Sequence, residues 1–207
     1  MKRKMAVAAI VVLLFLGWWL WPRRIDFLVP KAGPIVVLGD SLAFGYGAES
    51  NHGYVGVLQK RLGVEMINKG ISGDTTRQGL DRLQKDVLDL KPALVIVELG
   101  GNDFMQKVPA EETFANLDQI ITRVQAQQTP VLLIGVQSNL FGNKAAGRYR
   151  QLADQRHTGL VANALGNILT QPDLKSDAIH PNDKGYEVMA DRIEPELRRM
   201  LHKMGRL

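Results

Sequence analysis

Short apolar runs stopped by glycine-bearing polar turns constrain this chain more than any other feature. Pro34-Ile35-Val36-Val37-Leu38 halts at Gly39-Asp40-Ser41-Leu42. Ala93-Leu94-Val95-Ile96-Val97, the clearest buried strand, is followed by Gly100-Gly101-Asn102-Asp103. Val131-Leu132-Leu133-Ile134-Gly135-Val136 then passes into the polar stretch 137–150, read as a loop. Runs that are apolar throughout, rather than alternating, are buried on both faces, as strands of a parallel sheet are.

Helical patterns separate these runs. Tyr54, Val57, Leu58 and Leu62 share one helical face, and Gly63 ends that helix. Val64–Asn68 reads as the second strand. Thr75 and Gln78 have capping-box spacing, and Leu80, Leu83, Val87, Leu88 and Leu90 form the apolar face that follows. Further helices are expected over 110–127, over 146–157 and from Asp183 towards 204, where Pro195 should break or kink the last one. Leu160-Val161 and neighbours make a weak fifth strand. Strand–helix alternation predicts an α/β domain whose parallel sheet is covered on both faces.

The charge is local. The net +5 resides in Lys2, Arg3, Lys4, Arg23 and Arg24, and outside residues 1–24 the remaining 21 basic residues balance 21 acidic ones. A nucleic-acid partner is therefore not expected. The chain has no cysteine, which excludes disulfides and thiolate metal sites. Between the basic residues, Met5–Trp21 is seventeen residues without a charge, with Trp18, Trp19 and Trp21 at its far end. This pattern predicts one N-terminal transmembrane helix over residues 1–24 and a tether over 25–33. A cleaved signal peptide fits less well, because the run ends in Trp-Leu-Trp-Pro-Arg-Arg rather than in small residues. The expected location is the inner (cytoplasmic) membrane, single-pass, with residues 34–207 facing the periplasm or exterior.

Three turns at predicted strand ends carry polar groups: Ser41, Gly73-Asp74 and Asn102-Asp103. In a parallel sheet these ends share one edge. A fourth piece, Asp177-Ala178-Ile179-His180-Pro181-Asn182, precedes the last helix, and its Asp177 and His180 are spaced to project to one side of a turn. A serine nucleophile needs an imidazole to take its proton and a carboxylate to orient that imidazole. Gly73 N–H, the Asn102 side-chain amide and Ser41 N–H are candidate donors to the oxyanion of a tetrahedral intermediate. Plainer roles fall to the neighbours: Asp40 and Asp103 as turn braces, Asp74 as a helix cap. His52, His157 and His202 lack a nearby carboxylate in an arrangement comparable to Asp177-x-x-His180 and read as surface or structural. His180 with Asp177 and Asp183 is too thin a set for a metal site, and no metal or cofactor is expected.

Gly39-Asp40-Ser41-Leu42, the glycine of Ile71-Ser72-Gly73-Asp74-Thr75, the Gly-x-Asn-Asp of Gly100–Asp103, and Asp177-x-x-His180 resemble, in order and spacing, the four blocks of the SGNH (GDSL) hydrolase superfamily. The strings Gly39–Gly47, Val97–Asp103 and Ile179–Asn182 are most similar to its bacterial thioesterase I/lysophospholipase L1/arylesterase branch. The resemblance covers roughly residues 34–200. It implies a three-layer α/β/α, flavodoxin-like domain with a central parallel sheet of about five strands. It also implies Ser41 as nucleophile, His180 as base, Asp177 as third triad member, and Ser41 N–H, Gly73 N–H and Asn102 as oxyanion hole. The sequence departs from the family at 137–150, which helps shape the acyl pocket, and is weak as a strand at 158–170.

The expected function is hydrolysis of carboxylic esters by a serine esterase, acting on short acyl or aryl esters, thioesters or lysophospholipids through an acyl-enzyme intermediate. The expected partners are a small ester or lipid acyl substrate and the membrane, and the chain is expected to be a monomer. A deacetylase of cell-wall or exported polysaccharide is the alternative enzyme, and an inactive membrane-anchored interaction domain the alternative of another class.

Overall fold

The computed structural model describes residues 32–136 and 144–207. The apolar runs form five strands: β1 (Ile35–Gly39), β2 (Met66–Gly70), β3 (Leu94–Glu98), β4 (Val131–Ile134) and β5 (Gly159–Val161). All pair in parallel, in the order β2-β1-β3-β4-β5. The order reverses between β1 and β3, so a crevice opens beyond their carboxyl ends, the usual binding place in such sheets. Side chains of the central strands Ile35–Leu38 and Leu94–Val97 are fully buried, as their unbroken apolarity requires.

Seven helices among the described residues cover the sheet: α1 (Ser41–Phe44), α2 (Tyr54–Leu62), α3 (Thr76–Asp86), α4 (Gly101–Met105), α5 (Ala110–Ala126), α6 (Lys144–Arg156) and α7 (Asp183–Lys203). Helices α2 and α7 pack together on one face, and α3, α5 and α6 form the layer on the other. The capping box expected at Thr75 and Gln78 starts α3. Short 3₁₀ segments at Ile168–Thr170 and Pro172–Leu174 lead from β5 to α7.

Several expectations need correction. The turns after β1 and β3 are single-turn helices, α1 and α4, because a capping side chain and successive glycines let the chain coil at once. Helix α6 begins at Lys144, inside the stretch read as loop, while 137–143 fall outside the described residues. Pro195 does not break α7, which runs unbroken from Asp183 to Lys203. A mid-helix proline costs about 3 kcal/mol. Against this, Tyr186, Met189, Ile193, Leu197, Met200 and Leu201 are all fully buried on α7, each worth about 1.5–3 kcal/mol. Burial wins.

The inner-membrane assignment is also corrected. No helix among the described residues is long and apolar enough to cross a membrane. The expected anchor, residues 1–24, lies outside the described residues. Nothing among the described residues supports the membrane location or the membrane as partner.

Candidate active site

Ser41 is the first residue of α1, directly beyond the end of β1. Asp40 caps that helix, its Oδ1 accepting the Leu42 N–H at 3.0 Å, so the serine is held at a fixed turn rather than on a free loop. The parallel register sets Gly39 beside Gly70 and Glu98. The segments carrying Ser41, Gly73 and Asn102 therefore leave the same sheet edge from adjacent strands.

His180 arrives from the other end of the chain. The segment before α7 is folded by Ser176 N–H donating to the His180 carbonyl at 3.0 Å and by Asn182, which caps α7 and donates to the Asp173 carbonyl. Within it Asp177 Oδ1 accepts the backbone N–H groups of Ile179 and His180, both at 2.8 Å. Its Oδ2 lies 2.8 Å from His180 Nδ1, and His180 Nε2 lies 2.9 Å from Ser41 Oγ. The structure thus brings Ser41, His180 and Asp177 into one hydrogen-bonded chain.

Partial burial pushes the Asp177 carboxyl up, but the bonds from the His180 ring and the two backbone N–H groups outweigh it and hold it below the ordinary range. An ionised carboxylate only accepts, so His180 Nδ1 carries the hydrogen, which leaves Nε2 as the ring atom facing the Ser41 hydroxyl.

Gly73 and Asn102 flank the serine. Gly73 has φ +90° and is exposed, and its N–H meets no backbone or side-chain acceptor among the described residues. Nothing lies within 4 Å of where its Cβ would be, so backbone conformation and not space demands glycine. Asn102 is buried, and its amide hydrogens go to Asp40 Oδ2 at 3.1 Å and the Asp74 carbonyl at 2.9 Å.

The neighbours sort as expected with two exceptions. Asp40 and Asp103 brace turns, Asp103 by accepting from the N–H of Thr76 at 2.8 Å and from its hydroxyl. Asp74 is not a cap. Thr75 is, and Asp74 instead accepts from Arg82 Nε at 2.6 Å. His52 does have a carboxylate partner: its Nδ1 lies 2.7 Å from Asp183 Oδ2, whose other oxygen accepts the Glu49 N–H. The sequence separation of 131 between His52 and Asp183 hides this pairing.

Sequence reading also missed Tyr46, whose ring packs against the His180 imidazole with centroids 4.5 Å apart, and whose carbonyl accepts from Tyr186 Oη at 2.8 Å. Gly47, at φ +86°, lets this loop lie on the histidine segment, for a Cβ there would stand 2.9 Å from the Pro181 carbonyl and overlap Ser176. Beneath the site, Glu98 is fully buried. Burial first, and the Asp40 charge second, push its carboxyl far above the ordinary range. Asp40 is pushed up to about 7, chiefly by burial, then by the charges of Asp74 and Asp103, while the Leu42 and Asn102 bonds pull the other way.

A serine bonded to an Asp–His pair, at the switch point of a five-stranded parallel sheet, defines a serine hydrolase. The chain belongs to the GDSL-like lipase/acylhydrolase family, whose model matches residues 37–188, and is a hydrolase of ester bonds. It is 34% identical to the esterase TesA of Pseudomonas aeruginosa over 181 residues, 82% of this chain and 90% of that protein. It is 27% identical to the thioesterase 1/protease 1/lysophospholipase L1 of Escherichia coli, covering 86% of this chain and 89% of the other. An acetylxylan esterase of Geobacillus stearothermophilus is 27% identical over 66% of this chain and 74% of that one. The crystal structure of TesA superposes with a TM-score of 0.76 at 32% identity, over 81% of this chain and 99% of the other.

Proposed function

We propose that residues 34–207 form a hydrolase domain that cleaves carboxylic esters of hydrophobic acyl or aryl groups, thioesters and lysophospholipids among them, through an acyl-enzyme on Ser41. The observation that carries this reading is the continuous chain Ser41 Oγ–His180 Nε2–His180 Nδ1–Asp177 Oδ2, with links of 2.9 and 2.8 Å. His180 takes the hydroxyl proton as Ser41 Oγ attacks the acyl carbonyl, and then gives it to the departing alcohol or thiol. Asp177 keeps the imidazole in its working tautomer and stabilises the imidazolium. Water, deprotonated by the same histidine, releases the acid.

The oxyanion of each tetrahedral intermediate is held by Ser41 N–H, Gly73 N–H and the Asn102 amide, each such donor being worth about 2.7–4 kcal/mol of barrier. For Asn102 this requires one amide hydrogen to be shared with an internal acceptor.

Among the described residues, five of the six exposed large hydrophobic side chains, Phe44, Tyr46, Ile71, Phe104 and Met105, lie on the segments that carry the site, each more than 40% exposed. This rim supports an apolar acyl or aryl group. The acetylxylan esterase relative supports a second reading, removal of acetyl groups from cell-wall or exported polysaccharide. Turnover of short aryl esters, long-chain acyl thioesters, lysophospholipids and acetylated xylan by the full chain separates the two. Preference for the lipidic substrates is expected, and preference for acetylated glycan would favour the second reading.

A further inference from the structure

Resting on that reading, we propose that Arg82 is a positioning residue of the oxyanion hole, setting the spacing between the Gly73 loop and the Ser41 turn. Arg82 lies on α3 and contacts no reacting atom. Its Nε donates to Asp74 Oδ2 at 2.6 Å, one residue beyond Gly73. One terminal nitrogen, Nη2, donates to the Gly39 carbonyl at 3.0 Å, two residues before Ser41, and the other, Nη1, reaches Asp86 Oδ2 at 3.3 Å. Both members of the Arg82–Asp74 pair are largely buried, with side chains 14% and 9% exposed.

These contacts close a ring with those of Asn102. From the Gly39 carbonyl the path runs along the chain to Asp40, across to the Asn102 amide, on to the Asp74 carbonyl, and through the Asp74 carboxylate and Arg82 back to Gly39. Each expected oxyanion donor is a member of this ring or adjoins one: Ser41 N–H follows Asp40, Gly73 N–H precedes Asp74, and Asn102 is itself a link. The Ile71 N–H, donating to the same Gly39 carbonyl at 3.1 Å, ties the ends of β1 and β2 together. Beyond that bond the guanidinium ties the Gly73-Asp74 turn to Gly39, because its planar fork donates in two directions at once, which an ammonium cannot match in geometry. Without it, the Asp74 carboxylate would be buried unpaired, and the Gly73 loop would move towards solvent to rehydrate it.

The test uses the full chain with Arg82→Gln and Arg82→Lys, read by kcat and KM on an aryl ester, by the second-order rate of fluorophosphonate labelling, and by Tm. Arg82→Gln is expected to lower kcat by about 10–100-fold with KM changed less than about 3-fold, as for a misplaced oxyanion donor. The labelling rate, whose five-coordinate transition state also gathers negative charge on the phosphoryl oxygen as fluoride leaves, is expected to fall in parallel. Arg82→Lys is expected to recover part of both, and it keeps the test decisive if the glutamine variant does not fold. In an Asn102→Ala background the Arg82→Lys effect should shrink, since both act on one oxyanion. A loss of Tm with wild-type kcat and labelling rate would overturn the proposal, as would full additivity with Asn102→Ala. Failure of the serine reading is seen separately, as turnover surviving Ser41→Ala.

Discussion

Asp40 reaches across from β1 to β3, its Oδ2 accepting the Asn102 amide at 3.1 Å while its Oδ1 holds the Leu42 N–H at 3.0 Å. One buried carboxylate thus fixes both the turn bearing the serine and the side chain expected to meet the oxyanion. Asp40→Asn keeps one acceptor oxygen but sets an amide donor against the Asn102 donor. A fall in kcat of about 10-fold or more is expected with the chain folded, in line with a displaced donor. Wild-type kcat in the folded variant would show that Asn102 does not depend on Asp40.

Asp40 and the fully buried Glu98 make stability depend on pH. Asp40 is pushed up to about 7, Glu98 is raised by burial and by Asp40, and both would return to ordinary carboxyl values on unfolding. The native state therefore holds these protons more tightly than the unfolded chain. Their contribution to stability is complete below the unfolded value, 3.8 for Asp40, and is lost as pH rises through about 7. Thermal unfolding from pH 4 to 9 should show Tm falling through this window, and a shallower fall in Glu98→Gln. Identical slopes in both proteins would contradict the assignment.

Asp177→Asn should fold normally, because the amide oxygen can still accept the Ile179 and His180 N–H groups that Asp177 Oδ1 accepts. Its amide nitrogen would then face His180 Nδ1 as a donor and favour the wrong tautomer. Turnover is expected to fall about 10⁴-fold, as when the orienting carboxylate of a Ser-His-Asp triad becomes an amide. A near-wild-type kcat would mean that another group orients the imidazole.

Gly73→Ala tests the loop rather than the triad. At φ +90° an alanine is strained by about 1–3 kcal/mol, with open space around it. The loop should relax by turning the peptide, moving the N–H off the oxyanion. A drop in kcat with little change in KM is expected, and unchanged kcat would remove Gly73 N–H from the site.

The site was more legible in the sequence than its supports. Ser41 and Asn102 follow strands whose apolar runs are plain, and Asp177 lies three residues from His180, so their chemistry is written in local spacing. Gly73 follows the weaker pattern of Met66–Gly70, where only Met66 is buried, and was legible from its own turn. The sheet was legible for the same reason at β1, β3 and β4, less so at β2, which lies two residues beyond the expected Val64–Asn68, and least at β5, whose three residues carry too little pattern. Arg82 was not legible, because its Gly39 partner is 43 residues away and only the β1–β2 register brings them together. Tyr46 and His52 meet residues more than 130 positions distant. Pro195 misled because local propensity was weighed without the burial along α7.

The most direct measurement is fluorophosphonate labelling alongside ester turnover for the wild-type chain and Ser41→Ala. The account predicts stoichiometric labelling of the wild type at Ser41 with loss of turnover. In the folded variant it predicts no labelling and turnover lower by at least about 10³-fold. Full labelling of Ser41→Ala, or turnover near that of the wild type, would contradict it.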